Sequence, residues 1–259
     1  MSKLELTSGR GYMGIANGEP APNTKMESGV LYVGVDGCKA GWLCFTVDLE
    51  NFETDFRILP QFADVVIEFK CANVVAVDIP IGLAEYGARA CDIEARKRLG
   101  KPRSNSVFPA PIRPILSATT YESACQKSLR SDGKKISKQA FGILSKVREV
   151  DQVISPGIQN WVYEVHPELC FCALNGGKAM QFGKLPASGR GGRLKLLSKP
   201  YPQIHTHLEQ LERRLARTDD LLDAAMAAWT AVRIGQKQAV HLPENPEFDG
   251  AGLRMDISY

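Results

Sequence analysis

The sequence has no CxxC pair, although it carries seven cysteines. The closest couple, Cys170 and Cys172, lacks a partner pair that would complete a zinc site. Cys38, Cys44, Cys71, Cys91 and Cys125 are scattered, several in apolar runs where a free thiol behaves as a small hydrophobe. The expectation is a reducing compartment and a cytoplasmic location. No run approaches the roughly twenty apolar residues of a membrane span, and the amino terminus lacks the apolar core of a signal peptide, so no membrane partner is expected. Charge of one sign is also scarce. A net charge of +3 with 24% charged residues is compatible with nucleic acid but too small an excess to argue for it. There is no internal repeat, no coiled coil, and no alternation of basic and aromatic residues that would specify a base.

What is present is enough apolar material for a core: 44% of 259 residues are hydrophobic, which suits one large domain or a domain with an insertion. Residues 1–29 carry Gly, Pro, Ser and Asn with little periodicity and read as a flexible extension. A start at Met26 would lose nothing the expected fold needs. The domain proper is expected over 30–259.

Strand patterns cover Leu31–Asp36, Trp42–Asp48 and Thr54–Leu59, with a turn at Gly37–Gly41. A helix over Phe62–Phe69 and a strand over Val74–Ile79, stopped by Pro80, follow. Three strands in meander, a helix and a further strand describe a mixed sheet whose fourth strand lies parallel to the first. Helices are expected over Ala88–Leu99, Tyr121–Leu129 and Ser137–Val153, with an ordered loop over Lys101–Pro114. Trp161–Val165 reads as a strand halted by Pro167, and Lys178–Arg193 as a basic, glycine-rich surface loop. Helices over Ile204–Ala216 and Asp219–Ile234 close the pattern, the last capped by Gly235.

The first and fourth strands each deliver an aspartate, Asp36 and Asp78, to the carboxyl end of a buried apolar run. An unpaired carboxylate there is costly. Neighbouring strands lie about 4.8 Å apart, so two aspartates at matching ends can share a cation. Magnesium prefers such hard oxygen ligands, usually one or two carboxylates per ion. Glu164 ends a third strand, with His166 on its face, and Asp219, Asp220 and Asp223 cluster at the start of the last helix. Ordinary structural roles compete: acids in a first turn offset the helix dipole, which alone justifies Asp219 and Asp220, and Asp36 or Asp78 could simply open a turn. Asp223 lies past the first turn and escapes that explanation.

These stretches resemble a known family. Gly34-Val35-Asp36-Gly37-Cys38-Lys39-Ala40-Gly41-Trp42 and Val77-Asp78-Ile79-Pro80-Ile81-Gly82-Leu83 carry the likeness. So do Arg89, Cys91-Asp92, Ser106-Val107-Phe108-Pro109, Tyr163-Glu164-Val165-His166-Pro167-Glu168 and Asp219-Asp220-Leu221-Leu222-Asp223-Ala224. The chain from 31 onward resembles the domain of unknown function 429 family, whose members are predicted ribonuclease-H-like nucleases. The resemblance implies an α/β fold: a ribonuclease-H-like mixed five-stranded sheet flanked by helices, with a helical and loop insertion before the fifth strand. It implies two divalent metals, Mg2+ or Mn2+, held by Asp36, Asp78 and the Asp220/Asp223 pair, with Glu164 as a further ligand.

The expected chemistry is therefore metal-assisted phosphodiester hydrolysis on nucleic acid. Asp36 would bridge the ions, Asp78, Glu164 and Asp223 would complete their shells, and His166 could shuttle a proton. Lys39, Arg103, Arg113, Lys184, Arg190 and Arg193 are the candidates for gripping phosphates, although each is equally explained as a solvated charge. Two rivals remain on the same fold. One is an actin-like or sugar-kinase-type phosphate enzyme using the Gly37–Gly41 turn; the other is a non-catalytic nucleic-acid or partner-binding protein.

Overall fold

The structure is a computed structural model that describes residues 30–184 and 186–259. The expected amino-terminal extension and the start at Met26 lie outside the described residues. Strands β1 (Leu31–Cys38), β2 (Gly41–Asp48) and β3 (Glu53–Leu59) form an antiparallel meander. Helix α1 (Phe62–Glu68) then carries the chain over to β4 (Val74–Val77), which runs parallel to β1. Helices α2 (Ala90–Leu99), α3 (Tyr121–Asp132), α4 (Lys138–Gly142) and α5 (Leu144–Val153) make up the insertion. Strand β5 (Val162–Glu164) follows it, parallel to β4. The sheet order is β3-β2-β1-β4-β5, the mixed α/β arrangement that the ribonuclease-H-like description calls for.

The burial pattern explains that order. Residues of β1 and β2 are buried almost throughout, as suits strands covered on both faces, whereas β3 alternates exposed and partly buried positions, as an edge strand does. Leu31, Val33 and Val35 point with Val75 and Val77 toward α1 and α5. Tyr32 and Ala76 point to the opposite face, where α6 (Pro167–Leu174) and α9 (Thr218–Gly235) pack. Between these two helices lie α7 (Ala187–Leu197) and α8 (Ile204–Gln210). No helix among the described residues is long and apolar enough to cross a membrane.

Several local expectations give way to tertiary structure. The helix expected over Ser137–Val153 is broken near Gly142 into α4 and α5. Pro167 opens α6 at its first position, where a missing N–H costs nothing, with His166 as the capping residue. The stretch expected as a loop to Arg193 becomes helical from Ala187, because Arg193 is drawn inward onto Glu168 and the Phe171 ring. The helix expected to Ala216 ends at Gln210. Beyond α9 the chain forms a two-stranded ribbon, β6 (His241–Phe248) and β7 (Arg254–Ser258), bridged to the main sheet by Val165 and Ser258. Pro243 and Pro246 hid β6 from pattern reading, since proline sits in strands only at edges and irregularities.

The contact that sets the geometry is α9 against β1. A Cβ placed on Gly34 would come within 2.0 Å of both the Ala224 carbonyl oxygen and the Ala228 nitrogen. Glycine on the strand and alanines on the helix thus let the two backbones touch. Gly235 closes the far end of the same helix over the Tyr32 ring, within the helix rather than beyond it. Gly34→Ala is expected to destabilise the protein by about 3 kcal/mol or more, the upper end of overpacking costs. Urea unfolding measures it, and an unchanged midpoint would refute the packing argument.

Candidate active site

In β1 and β4, Val35 lies opposite Val77, so Asp36 and Asp78 form the next pair beyond the ladder. The Asp78 N–H donates to the Val35 carbonyl at 2.9 Å, which holds the two strand ends side by side. Both aspartates line a cleft of about 590 Å3 at the carboxyl ends of the parallel strands. The close approach of α9 delivers Asp223, 4% exposed, to the same place, one residue before the Ala224 that touches Gly34. Lys184 Nζ donates to Asp223 Oδ2. Glu168, in the first turn of α6 and 1% exposed, also lines the cleft; Arg193 binds its Oε1, and Oε2 has no partner among the described residues.

Burial raises the pKa of each of these aspartates. Asp36 stands well above the usual carboxylate range, through burial first and then the charges of Asp78 and Asp223. Asp78 is raised to about 6 by burial, with Lys184 opposing and Glu168 adding to the rise. Asp223 is raised to about 6 by burial as well, Lys184 pulling it back and Asp78 pushing it further up. Burial would lower the Lys184 ammonium, but Asp223, Asp78 and Asp36 outweigh it, and the net shift is upward. Lys184 is therefore the cation the chain itself places among these acids. His166, at the same cleft, is lowered by burial and by Lys184, so its ring is neutral. Its Nδ1 accepts the Glu168 N–H at 3.3 Å, so the proton belongs on Nε2.

Glu164 lines the same cleft, but its carboxylate is engaged by partners other than the aspartates. The register pairs it with Val77, not Asp78, and a one-residue offset points a side chain to the other face of the sheet. There Arg89 donates to both oxygens at 2.7 Å, and the Ile81 N–H donates to Oε2 at 2.6 Å. Arg89 also binds Asp92 at 2.7 Å and the carbonyls of Ile81 and Gly82. Burial would lower Arg89, yet Asp92 and Glu164 raise it well above its ordinary value, while burial raises Glu164 to about 7 against the pull of Arg89, so this is a buried, fully bonded network. It staples β5 to α2 and to the turn that follows Asp78. Asp92 extends it by accepting the Ala110 N–H at 3.1 Å, which anchors the 101–114 loop.

Asp220 likewise takes a structural role: its Oδ2 accepts the Arg217 N–H at 2.8 Å and closes the first turn of α9. Among the basic candidates, Arg103 and Lys184 line the cleft. Arg193 is buried on Glu168, and Arg113 is held by Asp151 and Asp249, so neither presents a free charge to a nucleic acid. Lys39 is exposed beside Arg213 and Arg217 in an adjoining groove, and Arg190 is exposed on α7. Among the cleft residues that sequence reasoning missed are Glu168 and Lys146. The acid two residues after a capping His166 was a visible helix-start signal; nothing in the pattern pointed to Lys146.

The donor types suit a hard divalent ion, being carboxylate oxygens, and Asp223 Oδ1 and Glu168 Oε2 are buried without a hydrogen-bond partner among the described residues. Among the described residues, no three His, Cys, Asp or Glu side chains are already arranged as a metal-holding group. The residues present thus fit a cation by chemistry and charge, with Lys184 lying where carboxylates would otherwise repel. In comparisons with known proteins, the family model described as "Protein of unknown function (DUF429)" matches residues 34–248. No curated protein and no solved structure matches.

Two expectations separate the structural acids from the others. Glu164→Gln should cost about 3–5 kcal/mol in chemical denaturation, the effect of breaking a buried ion pair. A change within about 0.5 kcal/mol would contradict its structural assignment. Asp78 behaves differently. With its pKa raised to about 6 against an ordinary 3.8, the folded state holds a proton that the unfolded chain has already released. Its contribution to stability therefore falls as pH rises through that window. In metal-free protein, Asp78→Asn should look more favourable at about pH 7.5 than at about pH 4.5, by about 1–2 kcal/mol after discounting for solvent screening. A pH-independent difference would rule this out.

Proposed function

We propose that this chain, which belongs to the DUF429 family, is a hydrolase that cleaves phosphodiester bonds of nucleic acid with magnesium or manganese as cofactor. The observation that carries this reading is the convergence of Asp36, Asp78, Asp223 and Glu168 on one spot from four separate elements. Among the described residues, only Lys184 and Arg193 balance them through direct contacts. Raised carboxylate pKa values in a cleft are a common mark of functional sites.

Asp36, Asp78 and Asp223 would hold the ion, with Glu168 offering its free Oε2. A bound divalent cation would supply the positive charge that stabilises a transferring phosphoryl group and would make an attacking water more acidic. Lys184 holds Asp223 in position and adds a charge that a phosphate oxygen can meet. His166, neutral and with Nδ1 accepting the Glu168 N–H, has its Nε2–H left to donate a hydrogen bond to a phosphate oxygen. The Arg89 network keeps the turn after Asp78 rigid, so the two aspartates stay in register. The sugar-kinase-type alternative is less well supported. Such enzymes repeat the sheet in a second half, whereas the described residues contain one five-stranded sheet and a ribbon.

Asp36→Asn tests the reading. In a screen of nucleic-acid substrates with magnesium or manganese, it should lower hydrolysis by roughly a hundredfold or more, the scale of losing one preorganised electrostatic group. Its unfolding midpoint without metal should be unchanged or higher. Retained hydrolysis would remove Asp36 from the mechanism, and a metal-free variant that unfolds would make the carboxylate structural.

A further inference from the structure

The cleft that holds the acids has a second chemistry, and it narrows the substrate. Arg103 lines the cleft, and its Nε is buried without a hydrogen-bond partner among the described residues. Lys146 lines it too. The Lys146 ammonium sits 4.5 Å from the Trp42 ring centre and 3.5 Å from Glu149, and its stem lies over Gly37. Trp42 in turn donates its ring N–H to Glu149 at 2.7 Å, so this cation is fixed from two sides. Val107, Phe108, Ile79 and Ile143 supply an apolar surface between the charges.

All of these side chains come from parts that enclose the strand ends. Arg103 and Phe108 belong to a loop bolted down by Arg96, which donates to the Val107 carbonyl at 2.6 Å, and by the Ala110 N–H on Asp92. Ile143 and Lys146 come from the junction of α4 and α5. The insertion therefore walls the carboxylates in. About 590 Å3 falls within the range of small-ligand sites, roughly 300–1,000 Å3. A duplex needs open surface instead, about 600 Å2 even for a small module.

We infer that this cleft is a nucleotide-sized site in which Arg103 and Lys146 bind the phosphate of a mononucleotide or of a single-stranded end, and that duplex does not enter it. The inference rests on the hydrolytic reading above and names its substrate class. A guanidinium with an unused, buried N–H is suited to a phosphate oxygen, because charge-assisted bonds from arginine to phosphate are short and directional. The apolar strip gives a sugar or base a surface to lie on while the acids face the reacting bond.

Calorimetry on the full chain with magnesium tests this, using adenosine 5′-monophosphate, adenosine, a 5′-phosphorylated single strand and the matching blunt duplex. The monophosphate should bind at least about tenfold more tightly than adenosine, and Arg103→Met should remove most of that difference, with Arg103→Lys restoring part of it. Lys146→Met keeps its stem packed and reads the same loss should Arg103→Met fail to fold. Binding by the free nucleotide alone, or by the single strand as well, identifies which source the site uses. Equal binding of monophosphate and adenosine, an unaltered Arg103→Met, or a duplex that binds as well as the single strand would overturn the inference. Asp36-dependent cleavage of duplex without nucleotide binding would sink it while leaving the hydrolase standing. Arg103-dependent nucleotide binding with no cleavage of any substrate would do the reverse.

Discussion

Repulsion among buried carboxylates is the constraint on which this structure turns. Asp36, Asp78 and Asp223 are desolvated in each other's fields, and every one of them titrates above the ordinary carboxylate range. An uncompensated buried charge is among the most expensive features a fold can hold. Among the described residues, the chain answers with Lys184 inside the group and Arg193 behind Glu168. Neither neutralises the whole cluster, and that shortfall is the ground on which a bound cation is proposed.

The scaffold around this cluster is stiff for the same reason. Groups that repel stay together only if the backbone leaves them nowhere else to go. Gly34 removes the side chain that would hold α9 away from β1, and Ala224 and Ala228 do the same from the helix. At the same cleft, the Arg89 network ties Glu164, Asp92 and the turn after Asp78 into one bonded unit. One set of acids is thus satisfied and structural, and the other is left short of charge. The division between them follows the pleat: Asp36 and Asp78 fall on one face, Glu164 on the other.

That pleat also explains how far the sequence could be read. Asp36 and Asp78 were legible because each ends a short apolar run, and Asp223 because it lies beyond the turn where acids serve the helix dipole. Glu164 looked equivalent to them, but strand register cannot be read from one strand alone. Arg193 and Arg113 looked like surface cations, and only their partners Glu168, Asp151 and Asp249 show that they are already committed. Glu168 escaped notice because proline two residues after a strand reads as an end, when here it begins a helix.

Periodicity and composition by themselves determined the elements: the meander, the crossover to β4, the helical insertion and an alanine-rich last helix. These follow from local rules, since burial on a strand or helix repeats with a fixed spacing. Which acids meet, which are tied off by arginine, and what encloses them were decided only by tertiary structure. Register, helix approach and the fold of the insertion depend on contacts between residues far apart in the chain, such as Gly34 with Ala228 and Arg89 with Glu164. No local pattern encodes such a meeting, because its energy exists only once both partners have been brought to the same place.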